Sequence, residues 1–562
     1  MTSADQSSPP APGRQAVWDK PGPGTWELDT SHCGPAPGPV QRSLYEEGLK
    51  AGMEEGFGLF GAPLKGLEMR WVNGKFYRRL VPIVGGGREL PAPPAPVMWL
   101  VSRVHPAFRR QEKKARESFE SKRWRVELAR WEQEWKPTIT ARNLAHTDID
   151  VGPLSDPELA GHLVEVHRHL KDTIVLHFRL HVSDMGPLGD LMVHLEDWGL
   201  HRDDTFRALV HASPATRAPA AQLRRLAVAL RAAGVDPGTV ASVDAVRAAS
   251  PEAAELLDDY LRHNGWRLTT GYDIEDRCLA EMPDVLLATI RASATDEGED
   301  LADTAAHDAL AALRDEVPSE HRATFDELAE DARLSYGLRD ENGPLTYEWP
   351  AGLLRRGLLE AGRRLASAGR VPSHKDVFEL TVDEAASMLR SPTGPGIEEL
   401  ARRADERQWW ATLQPPVRLG PEETPPPVSV LPENLGRITR VVLTVMGSLE
   451  ADPAGAPLTG TGVGSEAYVG TARVVHDVGE ALQSVEPGDV VVAPYTAPTY
   501  NAVLAMAGAI VTEEGGLLCH AAVIARELGL PAVIGAVDAM ERIPDGATVE
   551  VDPVLGRVRV LT

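Results

Sequence analysis

Positions 510–535, reading IVTEEGGLLCHAAVIARELGLPAVIG, constrain this chain more than any other stretch. A short apolar run suited to a strand enters Gly515 and Gly516. The helical pattern AAVIAREL then follows His520 until Gly529 and Pro531 stop it. Strand, turn and helix in that order belong to an α/β module, and the order sets His520 at the helix N-terminus. Backbone N–H groups there lack partners and the helix dipole favours an anion, so a phosphoryl group on the imidazole would be held by the chain itself. Gly515 and Gly516 carry no Cβ and let the backbone come close to such a group. A neutral imidazole is a good nucleophile near pH 7, and its N–P bond is labile enough to pass the group on. A lone histidine beside a helix is ordinarily a surface or capping residue; the surrounding pattern is what argues for a carrier.

The text around this segment divides in two. After position 435 it is rich in Val, Gly and Thr, with strand-length runs AYVGTARVV, DVVVAPY, GAIVT, AVIGA, ATVEVD and RVRVLT. Helices fit positions 497–508 and 520–528, which predicts a compact α/β module over 436–562. The preceding run LQPPVRLGPEETPPPVSVLP cannot be helical and reads, with its flank, as an extended, semi-rigid linker over 413–435. Roughly twenty residues at about 3.1 Å each would reach on the order of 60 Å. From position 156 to about 410 helical segments alternate, with breaks expected at 184–189, 250–251, 342–344 and 391–395. Between 112 and 136 a charged helix carries Trp124, Leu128, Trp131 and Trp135 at helical spacing, most simply a packing face. Positions 21–96 are rich in Gly, Pro and aromatics and read as an irregular shell of short strands and turns. The fold class expected is multidomain α and α/β. A mainly helical substrate domain over 21–412 follows a disordered leader over 1–20 and precedes the C-terminal module.

A chain of 562 residues exceeds one ordinary core, which agrees with this division. The formal charge of −24 makes nucleic acid and anionic membrane poor partners. No apolar run has the length of a membrane span, and the start lacks the order of a secretory signal, so a cytoplasmic protein is expected. The three cysteines, Cys33, Cys278 and Cys519, have no CxxC spacing and argue against a disulfide framework or a thiolate metal site. Histidines gather at 162, 167, 169, 177 and 181. The His177/His181 pair shares a helix face, but neither HExxH nor a carboxylate triad accompanies it, and no metal ligand is assigned. Trp71, Phe76, Tyr77 and Trp266 could line an apolar pocket, although most such residues pack.

At the histidine motif the sequence resembles the mobile domain of phosphoenolpyruvate-utilising enzymes: a Gly-Gly pair, a spacer, His-Ala-Ala, Ala-Arg-Glu and Pro-Ala-Val-Ile-Gly. The likeness runs from about position 458 to 562 through GTARVV, PGDVVVAPYTAPTY and DGATVEVDPVLGRVRVL. It implies a swivelling phosphohistidine domain with His520 as phosphoryl carrier, and Gly515, Gly516 and Arg526 beside the bound phosphoryl. Upstream, VNGKFYRR, RHNGWRLTTGYDIEDRCLAEMP, YGLRDENG and DVFELTVDEA resemble the acceptor-binding domain of the rifampicin phosphotransferase branch of that family. The resemblance places Arg339 and Asp340 where the acceptor hydroxyl meets the phosphohistidine. A guanidinium there neutralises the phosphoryl and a carboxylate takes the hydroxyl proton. The family often has a basic residue three places after that carboxylate; this chain has Gly343.

A carrier must be charged. The Gly-rich spots, at 85–87 and 460–464, lack the Lys and Ser/Thr of a P-loop. ATP and Mg²⁺ are therefore expected mainly on a separate ATP-grasp subunit, as in systems resembling phenylphosphate synthase. The function expected is a phosphotransferase subunit delivering phosphoryl from His520 to a hydroxyl of an aromatic or other apolar small molecule. A ligand-binding or regulatory protein, or an ATP-independent enzyme, with a vestigial histidine domain stays open beside it.

Overall fold

The computed structural model describes residues 14–29, 36–85, 93–201, 205, 209, 214–269, 271–292, 308, 310–421, 427–447, 458–464, 466–496, 500–516 and 519–561. Its longest element is the helix Asp156–Asp197, 42 residues that open on a capping box between Ser155 and Glu158. The break expected at 184–189 does not occur. Pro187 lies inside this helix and is buried, flanked by Leu188, Leu191, Met192 and Leu195, all fully buried. A helical proline costs about 3 kcal/mol, and tertiary packing offsets it here. The helices Arg322–Gly343 and Glu433–Gly447 lie along the long helix, and Arg437 grips Asp190 through Nε at 2.8 Å.

Strand β1 (Trp26–Leu28) is followed by a 22-residue helix, Pro39–Phe60, where an irregular shell was expected. Its glycines were read as turn residues, but Gly48, Gly52 and Gly56 recur every four residues and form one face. That face meets the long helix: Cβ atoms built on Gly48 and Gly52 would stand 2.5 Å from Ile174 Cγ2 and 2.7 Å from Phe178 Cβ. Strands β2 (Leu64–Val72) and β3 (Lys75–Pro82) form a hairpin on Asn73 and Gly74, both at positive φ. Trp71 stacks on Phe76 at 4.3 Å, and Tyr77 is fully buried with its hydroxyl donating to the Pro416 carbonyl at 2.8 Å. These three aromatics pack, which is the plainer of the two readings the sequence left open. The Trp stripe packs as expected, although its helix is interrupted at Lys122 (φ +48°) and passes through a π turn, Trp131–Trp135.

The Pro-rich segment is not a free tether: its described part includes a 3-10 turn, Val428–Val430, where extended chain was expected, and 422–426 lie outside the described residues. Strand β4 (Arg418–Leu419) pairs with β1 in a sheet ordered β2-β3-β1-β4. Arg103 Nη1 donates to the Val430 carbonyl at 2.8 Å, and the helix Glu433–Gly447 packs on the helical domain. Of the expected leader, positions 1–13 lie outside the described residues; Arg14 covers the Trp409 ring and Trp18 meets Tyr77 edge-on, so 14–18 are held.

The C-terminal module forms a seven-stranded sheet ordered β11-β10-β6-β7-β8-β9-β5. Its strands are β5 (Thr461–Val463), β6 (Tyr468–Val474), β7 (Val490–Ala493), β8 (Ala509–Thr512), β9 (Ala532–Ile534), β10 (Thr548–Asp552) and β11 (Arg557–Val560). Strands β6 to β9 are parallel, and β7, β8 and β9 are buried at every residue because both faces are covered. One apolar cluster joins Leu226, Leu230 and Ile290 of the helical domain to Val478, Val503 and Ala522 of this module. The helix Pro283–Ala292 lies against the helices Val478–Ser484 and Asn501–Leu504.

His146, His162 and His169 gather inside the helical domain, with ring centroids 5.6 and 5.7 Å from His146. His169 Nε2 meets Asn143 Oδ1 at 2.7 Å, while His162 Nε2 and His169 Nδ1 are buried without hydrogen bonds. His177 and His181 share a face, 4.7 Å between centroids, and meet Thr346 and Asp184. Among the described residues no three His, Cys, Asp or Glu side chains converge as metal ligands.

Gly52→Val forces the two long helices apart and should lower stability by about 1–3 kcal/mol. Gly58→Ala faces open space and should be neutral or stabilising by up to roughly 1 kcal/mol; urea unfolding reads both. Burial holds His162 down to about 4 and His169 down to about 3, both below the value of about 6.5 in an unfolded chain. Between those values the unfolded chain binds more protons, so stability falls as pH drops from about 6.5 toward 4. His162→Gln should flatten that limb, measured as the urea midpoint at pH 7.5, 6 and 5.

Candidate active site: His520 and the loop that faces it

Because β7 and β8 are parallel neighbours, the loops that leave them emerge at one edge of the sheet, the edge where α/β sheets bind ligands. The first loop carries Thr496; the second carries Gly515, Gly516 and Cys519 into the helix His520–Leu528. Gly515 has φ +106°, and a Cβ on it would stand 2.8 Å from Cys519 Sγ. The glycine is therefore needed for the turn and for seating the half-buried Cys519. The Gly516 carbonyl accepts from Cys519 N at 3.0 Å, closing the turn before the helix. The side chain of Arg526 lies outside the described residues.

His520 is held at both nitrogens: Nδ1 lies 2.8 Å from Thr496 Oγ1, and Nε2 lies 2.9 Å from Asn501 Oδ1. The amide oxygen accepts from Nε2–H, which leaves Nδ1 to accept from the Thr496 hydroxyl. Loss of solvation holds the imidazole well below the ordinary histidine value, so the ring is neutral and nucleophilic at pH 7. Thr496 and Asn501 are site residues that sequence reasoning missed. The strand-ending string PGDVVVAPYTAPTY contains the threonine, but nothing in it marks Asn501.

The opposite wall belongs to the helical domain. A loop at 266–282 presents Tyr272, and its backbone is pinned from several sides. Gln41 Nε2 and the Tyr347 hydroxyl both donate to the Tyr272 carbonyl, at 2.7 and 2.5 Å. Arg355 binds Glu281 through two nitrogens, at 2.8 and 3.1 Å, and donates to the Glu275 carbonyl at 2.8 Å. Arg407 bridges Glu275 and Glu379, tying this loop to the DVFELTVDEA string. On the carrier side, Tyr495 closes against the loop: a Cβ on Gly271 would stand 2.6 Å from the Tyr495 hydroxyl.

Tyr272 remains 49% exposed, yet burial of its surroundings pushes its phenol up to about 12, with Glu348, Arg339 and Cys519 as the charged neighbours. A side chain so crowded and still open stands in a cleft. Tyr272 thus links Arg339 of the helical domain to the residue before His520. Arg339 and Asp340 occupy the last turn of Arg322–Gly343, both half-buried. That turn is anchored by Glu341, which accepts from Trp131 Nε1 at 2.8 Å and pairs with Lys136 at 2.7 Å. Asn342 Nδ2 adds a bond to the His177 carbonyl at 3.0 Å. The expected break at 342–344 is instead a π turn, Pro344–Glu348, which runs on into the helix Trp349–Ser367.

A family model, the mobile domain of PEP-utilising enzymes, matches residues 485–556. The chain is 28% identical over 448 residues to rifampicin phosphotransferase of Streptomyces sp, which covers 75% of this chain and 49% of that protein. It is 48% identical over 92 residues to phosphoenolpyruvate synthase of Escherichia coli K12, 16% of this chain and 12% of that one. It is 26% identical over 599 residues to chondramide synthase of Chondromyces crocatus, 98% of this chain and 14% of that one. The chain thus spans between 12% and 49% of the length of these relatives. With a parallel-strand module that sets a neutral histidine on a helix N-terminus inside the matched segment, residues 485–556 are similar to the mobile domain of PEP-utilising enzymes.

Proposed function

We propose that this protein is a phosphotransferase in which His520 takes up a phosphoryl group originating from ATP and delivers it to the hydroxyl of a small molecule. The observation that carries this reading is the placement of a neutral His520 at a helix N-terminus, at the sheet edge where Tyr495 closes against the loop that holds Tyr272. The first step is attack by Nε2 on the donor's phosphorus. Thr496 can accept as well as donate, so Nδ1 carries the proton once Asn501 turns aside and frees Nε2. Free N–H groups of the first helical turn receive the new negative charge. In the second step the acceptor oxygen forms its bond to phosphorus as the N–P bond breaks, and Arg339 offsets the charge in transit.

The acceptor is proposed to be an aromatic or otherwise apolar molecule with a free hydroxyl. The name of the rifampicin phosphotransferase relative supports that class, and so does an exposed tyrosine in the cleft. The donor site is assigned to an ATP-binding unit outside these 562 residues, in the form we favour a separate ATP-grasp subunit. Mg²⁺ would arrive on the nucleotide's phosphates. Among the described residues no group of three His, Cys, Asp or Glu side chains is set to hold a metal. Motion of the C-terminal module between donor and acceptor is part of the proposal.

Incubation with ATP carrying labelled phosphates and a candidate ATP-grasp protein should place an acid-labile, alkali-stable label on the wild type. His520→Ala should carry none. Label that survives in His520→Ala, or label that never forms with any ATP-grasp partner, would overturn the reading.

A further inference from the structure

A phosphoryl carrier needs a lone pair on His520 Nε2, yet the resting geometry puts a proton there. Asn501 Oδ1 lies 2.9 Å from Nε2 and accepts from it, while the Thr496 hydroxyl lies 2.8 Å from Nδ1 and donates to it. The two partners differ in setting: Thr496 is buried, at 8% exposure, and Asn501 is exposed. Nδ1 therefore faces the interior, and Nε2 faces the open side from which a phosphoryl donor must come. Loss of solvation, with no charged neighbour contributing, holds the ring down to about 3. The ring is neutral at pH 7, and among the described residues its two hydrogen-bond partners choose which nitrogen carries the single proton.

Both partners can serve either form of the ring. A hydroxyl donates or accepts; an amide accepts through Oδ1 or, after a half-turn about its last side-chain bond, donates through Nδ2. A carboxylate at position 501 could only accept and would lock the proton on Nε2. The backbone that carries Asn501 is fixed, because Tyr500, Val503 and Leu504 beside it are buried and its short helix lies against the helix Pro283–Ala292. An exposed amide on a fixed backbone moves by rotating its side chain.

We infer that Asn501 is a positioning residue that parks His520 with its proton on Nε2 and frees that nitrogen by a half-turn of its amide. This rests on the phosphotransferase reading of His520 and assigns to residue 501 the control of loading. In the parked form Nε2–H donates to Oδ1, the Nδ1 lone pair accepts from Thr496, and Nε2 has no electron pair to offer. Release moves one proton. Nε2 gives its proton to solvent, Nδ1 takes one up and donates it to Thr496 Oγ1, and the turned amide donates from Nδ2 to the bared Nε2. Phosphorus then takes the place of the amide. The Nε2 lone pair forms the N–P bond as the donor's P–O bond breaks, whose electron pair leaves on the donor oxygen. Nδ1 keeps its proton, and the phosphoryl oxygens offset the positive charge on the ring. A carrier parked in this way is shielded from stray electrophiles until a donor displaces the amide.

The test compares a partner that only accepts with no partner at all. The full chain is treated at pH 8 with diethyl pyrocarbonate, a neutral reagent that acylates an unprotonated ring nitrogen, and the peptide carrying His520 is followed by mass spectrometry. A carboxylate holds Nε2–H through a charge-assisted bond, roughly twice as strong as the neutral one, so Asn501→Asp should acylate about tenfold more slowly than the wild type. Asn501→Ala, which bares Nε2, should acylate faster than the wild type. A merely structural role gives the opposite order, since Asp keeps the shape of Asn and Ala does not. Imidazole ¹⁵N shifts of His520, taken as the difference from His520→Gln, should show the proton on Nε2 in the wild type and in Asn501→Asp. An Asn501→Asp chain as reactive as the wild type, an Asn501→Ala chain slower than Asn501→Asp, or a resting wild type protonated on Nδ1 would each sink the assignment while leaving the carrier reading intact. Acylation in the expected order by a wild type that never forms phosphohistidine from ATP with an ATP-grasp partner would instead overturn the carrier reading and leave the parked tautomer standing.

Discussion

The apolar contact between the C-terminal sheet and the helical domain is the interaction on which the rest of this structure depends. Each half has a core of its own, and a further cluster joins Ile290 and Leu230 to Val503 and Ala522. That contact sets the carboxyl edge of β7 and β8 against the loop that holds Tyr272. Without it, His520 would have no wall opposite it. Hydrophobic contact is non-directional and scales with area, so it can hold the two bodies together without fixing the site to the ångström. The fine placement comes from polar groups.

Those groups are unevenly distributed. The loop at 266–282 is tied down by Arg355 and Arg407, each reaching carboxylates on separate segments. Ion pairs of this kind give up much of their Coulomb energy to desolvation; what they supply here is order, through the two-pronged geometry of a guanidinium. Glu341 does the same for the turn that carries Arg339 and Asp340. By contrast, the accessible side of Tyr272 is left without such an anchor. The molecule spends its rigid contacts on backbone and leaves a few side chains free to meet a ligand, the arrangement expected of a preorganised site.

The C-terminal module was legible at the level of single strands. β6 to β11 fall within the Val-rich runs read from the sequence, and the helix His520–Leu528 begins at the residue expected. Parallel strands buried on both faces leave unbroken apolar text, and turn glycines punctuate it. The helical domain was harder. The helix Pro39–Phe60 was obscured because its glycines serve close packing against Ile174 and Phe178, a purpose that looks the same in text as a turn. Pro187 signalled a break that the neighbouring helices overrule. The Pro-rich run contains a 3-10 turn, Val428–Val430, and strand pairing with β1 removes the freedom its composition suggested.

The sequence by itself determined that a histidine stands at a helix N-terminus behind two glycines, because turn, cap and helix are made of neighbours along the chain and need no distant partner. Only the tertiary structure decided what faces that histidine. Thr496 and Asn501 reach its two nitrogens from 24 and 19 residues away. Tyr272 comes from far upstream, on a loop whose Gly271 packs against Tyr495 of the C-terminal module. Contacts of that range depend on how whole elements pack, which the order of residues along the chain does not display.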